Sequence, residues 1–348
     1  MSEIIENSSK NHDGLVDLFS RTISYLRLSL TDRCNLKCMY CVTEDERNGC
    51  LTKLNQDELL TYEELLRVVR VAVDMGISKL RLTGGEPLVR KNVMHFIEQL
   101  GTIKNLHDIR ITTNAVLLEQ YADQLVAAGV NKINISLDTL KPERFAQITG
   151  VDCFEKVWRG IEKARTAGFS PVKLNMVVMR GINDDELVDF ARMSRDTSLQ
   201  VRYIEFMPVG VSSRWDKNTY MSSDEIKERI AVLGELIPDV GGRADGPASV
   251  FRLGEEAKGK LGFISPISHH FCDKCNRLRL TSEGMLRSCL LHDDETDLRS
   301  VLRQGCSDEE IQQTLLTAIR NKPKGHQMEE RLKETGSDCH GRMSRIGG

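Results

Sequence analysis

Short apolar runs alternate with longer amphipathic stretches at least six times between Tyr25 and Pro208. The runs 25–31, 79–83, 108–114, 131–138, 171–179 and 200–208 predict strands. Helical spacing of apolar positions predicts helices near 62–75, 92–101, 117–128, 154–167 and 184–194. Gly76, Gly129 and Gly168 suit the left-handed residue that closes a helix. Strand and helix in strict alternation imply parallel strands with crossover helices, as an open sheet or a barrel.

Parallel strands covered on both faces should be almost continuously apolar, yet these alternate. Leu26, Leu28 and Leu30 oppose Arg27, Ser29 and Thr31, and Leu80 and Leu82 oppose Arg81 and Thr83. Ile109 and Ile111 oppose Arg110 and Thr112. Ile133, Ile135 and Leu137 oppose Asn134, Ser136 and Asp138, and Val172, Leu174 and Met176 oppose Lys173 and Asn175. Helices must cover the apolar face, so the polar face has to line a wet interior, as in a curved, incompletely closed barrel around a ligand. Arg27, Arg81, Arg110 and Lys173 point into it, which predicts a polar, polyanionic ligand.

After Pro208 the repeat stops. A helix near 222–233, a glycine-rich loop at 241–247 and strands at 250–253 and 261–265 precede a hairpin with arms 277–281 and 285–289. At 348 residues, 40% hydrophobic and 28% charged, the chain can form one large domain plus an extension. The net charge of -3 argues against general nucleic-acid binding, so local cations must hold any anionic ligand. No run reaches the length of a membrane span. Glu3, Glu6, Asp13 and Asp17 make the start unlike a signal or transit peptide. Ten cysteines in such a chain read as metal ligands and free thiols in a reducing cytoplasm. No P-loop, G-x-G-x-x-G, H-E-x-x-H or G-x-S-x-G pattern occurs.

The chemistry gathers in two cysteine trios. Cys34, Cys38 and Cys41 form C-x3-C-x2-C in the loop after the first strand, at the carboxyl end of the sheet where barrel enzymes keep their sites. Three thiolates leave one iron of a four-iron cluster open, whereas structural zinc wants four protein ligands. No histidine lies between Asp13 and His95 to supply a fourth. Cys272, Cys275 and Cys289 form the second trio, with the hairpin folding Cys289 back beside the first pair; zinc completed by His269, His270 or His292 is the alternative there. Cys50, Cys153, Cys306 and Cys339 read as ordinary thiols. The loop Gly84-Gly85-Glu86-Pro87 allows close backbone approach to a ligand.

The first trio, with Tyr40 before its last cysteine, and the Gly-Gly-Glu loop resemble the radical S-adenosylmethionine (SAM) enzymes. Adding Gly181-Ile182-Asn183-Asp184, Ile204-Glu205-Phe206-Met207, residues 271–277 and the ending Met343-Ser344-Arg345-Ile346-Gly347-Gly348, the chain from about Phe19 onward resembles the GTP 3',8-cyclases, first enzymes of molybdenum cofactor biosynthesis. The resemblance implies an α/β fold: an incomplete (β/α)6 TIM-like barrel of radical SAM type with a C-terminal α+β extension. A flexible tail at 1–20, a barrel at 21–220, a second-cluster domain at 221–325 and a tail at 326–348 are expected.

It also implies two [4Fe-4S] clusters, on Cys34, Cys38 and Cys41 with SAM, and on Cys272, Cys275 and Cys289 with substrate. SAM falls beside Tyr40, Gly85, Ser136 and Met207, and GTP beside Arg27, Arg81, Thr112, Lys173, Arg277, Leu278 and Arg279. Catalytic roles fall on Arg277, Arg279, Gly347 and Gly348. In the family a deoxyadenosyl radical removes the ribose 3' hydrogen and the sugar closes onto C8 of guanine, giving (8S)-3',8-cyclo-7,8-dihydroguanosine 5'-triphosphate. An electron donor, a homodimer, and cyclic pyranopterin monophosphate synthase as recipient of the product are implied as well. Ala115 departs from the family, which has glycine there, leaving that turn's conformation and the placement of Thr112 open. Arg110 has no family role and is expected to pair with Asp138 or Glu205. The rival readings are a radical SAM maturase acting on a peptide or another cofactor, and a non-catalytic iron-sulfur or zinc module.

Overall fold

The computed structural model describes residues 15–48, 53–210, 215–239, 246–326, 328, 339 and 341–347. All six expected strands form: β1 (Tyr25–Ser29), β2 (Lys79–Thr83), β3 (Asp108–Thr113), β4 (Val130–Ser136), β5 (Val172–Val178) and β6 (Gln200–Glu205). They are parallel and adjacent in chain order. Then follow β7 (Leu236–Pro238), β8 (Ser249–Leu253), β9 (Lys260–Ile264), β10 (Arg277–Leu280), β11 (Met285–Arg287) and β12 (Thr296–Asp297).

These later strands extend the same sheet at both edges. The order is β12-β11-β10-β1-β2-β3-β4-β5-β6-β9-β8-β7, with β10 parallel to β1 and β9 parallel to β6. The sheet therefore runs unbroken across the boundary expected at 220/221, and its two outer strands do not pair with each other. The α+β extension is not a separate layer; its strands flank the barrel on either side.

Strand parity decides where the core lies. Leu26, Leu28, Leu80, Leu82, Ile109, Ile111, Ile133, Ile135, Val172, Leu174 and Met176 are all buried in one apolar cluster, each contributing about 1.5–3 kcal/mol. Against them pack α2 (Tyr62–Asp74), α3 (Val93–Gly101), α4 (Leu118–Ala127), α6 (Phe154–Ala167) and α7 (Leu187–Asp196). A capping box between Thr61 and Glu64 starts α2. Earlier, the short α1 (Glu44–Arg47) follows the first cysteine loop. Two helices of eight residues or more were not expected. One is α5 (Pro142–Thr149), whose buried Phe145 and Ile148 are too few to reveal a period. The other is α10 (Asp308–Arg320), capped by Ser307 and Glu310. α8 (Ser223–Ile230), α9 (Arg299–Arg303) and a helical turn, α11 (Met343–Ile346), are also found among the described residues.

The expected flexible tail is docked from residue 15 on: Leu15 is buried, its carbonyl accepts from Ile23 N at 2.6 Å, and Asp17 pairs with Arg21. Residues 1–14 lie outside the described residues, as do Cys50 and all of the 241–247 loop except Gly246 and Pro247. No described helix is long and apolar enough to cross a membrane.

Candidate active site

The first cysteine loop leaves the carboxyl end of β1 and is held from two sides. Lys37 N and Met39 N donate to the carbonyls of Thr149 (2.7 Å) and Ile148 (2.9 Å) at the end of α5. Gly85 N and Glu86 N donate to Thr31 O (2.7 Å) and Arg33 O (2.8 Å). A Cβ on Gly84 would lie 2.6 Å from Thr31 O, and one on Gly85 2.3 Å from Arg33 O. The close approach those glycines were expected to give a ligand is taken first by the cysteine loop's own backbone. Glu86 ties this loop to the next: its buried carboxylate accepts from Thr113 Oγ1 (2.8 Å), Asn114 N (2.7 Å) and Leu88 N (3.1 Å). Asn114 Nδ2 in turn approaches Cys34 Sγ at 3.6 Å. Tyr40 donates to Asp138 Oδ2 at 2.7 Å, fixing the loop's far end against β4.

Burial pushes the Cys34 thiol up to about 11 and Cys41 to about 12. It also drives Cys38 well above its ordinary value, with the neighbouring thiols adding to the effect there. A bound cation would take up the charge that these buried thiols resist carrying alone.

The second trio sits around the hairpin that begins at β10, the parallel neighbour of β1. Cys272 and Cys275 flank a single 3-10 turn before β10, and antiparallel pairing of Arg279 with Arg287 brings Cys289 back along β11. Arg21 donates to Cys272 O at 2.9 Å, and Lys322 Nζ to Arg277 O at 2.9 Å and Ser288 O at 2.5 Å. Burial opposes ionisation of Cys275, yet Arg277 and then Lys322 bring it down to about 6. Among the histidines that could complete a zinc site, His269 is engaged by Asp224 (2.6 Å), His292 faces Asp294 (3.1 Å) and His270 packs on the His326 ring. No three His, Cys, Asp or Glu side chains among the described residues are gathered closely enough to share a single ion.

One cavity joins the barrel interior to the second trio. Its lining includes Arg27, Arg81, Thr112, Met207, Arg277 and Arg279 of the expected residues, together with Cys272, Cys275 and Cys289. Arg279, Arg27, Arg81 and Arg110 occupy one register across β10, β1, β2 and β3. Burial, then Arg279, hold the Arg27 guanidinium well below its ordinary pKa; burial, then Arg277, bring Arg279 down to about 10. An anion bound among them would relieve that repulsion.

Other expected residues stand apart. Lys173 is buried on β5 in register with Asn134 and Gln200; it is not itself among the lining residues, although its neighbours Asn134 and Asn175 are. Leu278 turns into the apolar core beside Leu26, so its side chain is not at the cavity. Arg110 pairs neither with Asp138 nor with Glu205: its Nε donates to Asp108 Oδ1 at 2.7 Å, two residues back on the same strand face. Asp138 is taken by Tyr40 and Val177 N, and Glu205 by Ser223 N, Ile267 N and Ser268. Ser136, Gly85 and the first trio do not line this cavity; Cys34 is linked to it through Asn114, two residues after Thr112.

The chain's end enters the same place. Arg279 Nη1 donates to Gly347 O at 2.7 Å, and Gly347 lies against Thr83 and Gly84 with φ +78°. Gly348 is outside the described residues. Ala115 keeps a left-handed φ of +64°, as glycine would, and Thr112 accepts from Arg81 Nη1 at 3.2 Å.

The Radical SAM superfamily matches residues 28–194 and the Molybdenum Cofactor Synthesis C family residues 199–328. A GTP 3',8-cyclase of Thermodesulfovibrio yellowstonii is 49% identical over 95% of this chain and 99% of its own. Another, of Heliobacterium modesticaldum, is 45% identical over 96% and 100%. The chain belongs to the GTP 3',8-cyclase family of radical SAM enzymes. Streptococcus suis SuiB bound to precursor peptide SuiA shares the fold: its TM-score is 0.58 at 15% identity, over 87% of this chain and 65% of that one.

For a GTP 3',8-cyclase family member, sequence reasoning passed over Tyr25, Arg202, Phe271 and His326, all of which line the cavity. Extending strand parity to β6 would have found Arg202, which stands in register with Asn175 and opposite Gly262. Tyr25 has the same parity as Arg27 and was passed over as a strand's first residue.

Proposed function

We propose that this chain converts GTP to (8S)-3',8-cyclo-7,8-dihydroguanosine 5'-triphosphate with two [4Fe-4S] clusters, one on Cys34, Cys38 and Cys41 and one on Cys272, Cys275 and Cys289. The carrying observation is the arginine row on one wall of a cavity whose other end holds the second trio. Forked guanidinium donors suit phosphate oxygens, so the triphosphate lies along Arg27 and Arg81, with Thr112 and Lys173 on the next strands. The base then points to the Cys272–Cys289 end, where Arg277 and Arg279 flank it.

When bound, the first cluster and SAM supply the deoxyadenosyl radical for hydrogen abstraction. The protein positions and shields. Tyr40, Gly85, Ser136 and Met207 would hold SAM. Gly347, held by Arg279, closes the space between the two ends and keeps water from the reacting sugar, with a catalytic role for Gly348 beside it. Asp138 and Glu86 fix the loops that carry the first trio.

An electron donor, a cytoplasmic setting, a homodimer and delivery of the product to cyclic pyranopterin monophosphate synthase belong to the same reading. Anaerobic reconstitution followed by reductant, SAM and GTP tests it: a cyclised guanine nucleotide and 5'-deoxyadenosine are expected. Deoxyadenosine formation without any GTP-derived product would contradict it.

A further inference from the structure

Tyr25 lies at the floor of the cavity, one inward step before Arg27 on β1. Its hydroxyl accepts a hydrogen bond from Arg81 Nε. That leaves the two Nη groups of Arg81 for other partners, and Nη1 reaches Thr112 Oγ1 at 3.2 Å. The phenol ring is flanked by two guanidiniums, with Arg81 Cζ 5.8 Å and Arg110 Cζ 5.7 Å from its centroid. One ring thus serves two members of the arginine row, each in register with a like charge on the next strand. Such pairs repel, and a cation over an aromatic face is attracted to it. Asp108 takes up Arg110 from the far side, which leaves Arg81 to be aimed by Tyr25. Burial opposes ionisation of the phenol, but Arg81, Arg27 and Arg110 outweigh it and lower its pKa.

We propose that Tyr25 is a positioning residue for the polyphosphate: by holding Arg81 through Nε it presents the Nη fork to phosphate oxygens and so sets the preference for a triphosphate over the bare nucleoside. The inference rests on the GTP reading of this cavity and deepens it. A guanidinium without that anchor samples other rotamers, and each phosphate contact then costs more ordering entropy.

The test compares reconstituted wild-type protein with Tyr25→Phe, which keeps the ring and removes the hydroxyl. Affinities for GTP, guanosine and SAM are measured by calorimetry. Tyr25→Phe is expected to weaken GTP about tenfold while guanosine, SAM and the melting temperature stay as in wild type. With Arg81→Ala already present, the second change should add no further loss. Unchanged GTP affinity, or an equal loss for guanosine, would overturn the proposal. Should wild-type protein bind neither GTP nor guanosine, the GTP reading fails by itself, and inorganic tripolyphosphate then serves as probe. A tenfold loss of tripolyphosphate in Tyr25→Phe would uphold the role of Tyr25, and its absence would end it.

Discussion

Arg279 Nη1 and the carbonyl of Gly347 are 2.7 Å apart and buried. This bond joins the second cysteine hairpin to the last described residue of the chain. On the other side Gly347 touches β2, where a Cβ on it would stand 2.0 Å from Thr83 Oγ1. Its φ of +78° also disfavours a side chain. Gly347→Ala should therefore dislodge the tail while leaving the barrel intact. Cyclised product should fall about a hundredfold, with SAM affinity unchanged; chromatography of the nucleotide products and SAM calorimetry check both.

Separate roles for the two trios lead to a second expectation. Cys272→Ser or Cys289→Ser should lower iron from about eight to about four atoms per chain, retain SAM binding and abolish GTP turnover. Iron analysis and equilibrium dialysis with SAM decide it, since equal loss of SAM binding would merge the two roles.

Much of this site could be read from alternation alone. Leucine and isoleucine on one face of each strand and arginine, threonine and asparagine on the other specified a wet interior, and Arg27, Arg81 and Thr112 do line it. Other parts had no local signal. Arg21 reaches Cys272, Pro323 and Lys324 across some 250 to 300 positions, which no periodicity reveals. For Arg110 the sequence offers Asp138 or Glu205 as partners on other strands. A neighbour two residues back on the same face was nearer. The docking of Gly347 was expected from family resemblance alone, because a terminal Gly-Gly carries no fold signal of its own.

Ala115 illustrates how a left-handed position, where glycine was expected, takes a side chain. It is fully buried at φ +64°, a conformation costing alanine about 1 kcal/mol. Gly160 on α6 makes the room: a Cβ there would lie 2.5 Å from Ala115 O and 3.4 Å from Ala115 Cβ. Ala115→Gly should change stability by less than about 1 kcal/mol, strain relief offsetting chain entropy. Gly160→Ala should cost more than about 2 kcal/mol, because a backbone oxygen cannot yield. Urea titrations measure both.

Glu86 links stability to pH. Burial raises its carboxyl to about 7, against three donors that pull the other way. Between the ordinary carboxyl range and about 7 the folded protein holds this proton more tightly than the unfolded chain. The contribution is therefore full at low pH and is lost as pH rises through that window, by about 3 kcal/mol in all. Unfolding of metal-free protein should show this decline, and Glu86→Gln should flatten it.

The central claim concerns one hydrogen atom: the ribose of GTP must lie between the two cysteine trios with its 3' carbon presented to the SAM side. GTP carrying deuterium at C3', incubated with reconstituted protein, reductant and SAM, tests this most directly by mass spectrometry of the deoxyadenosine formed. Transfer of the label into 5'-deoxyadenosine, together with a cyclised nucleotide, is the expected result. Unlabelled deoxyadenosine and recovered, unchanged GTP would contradict the account.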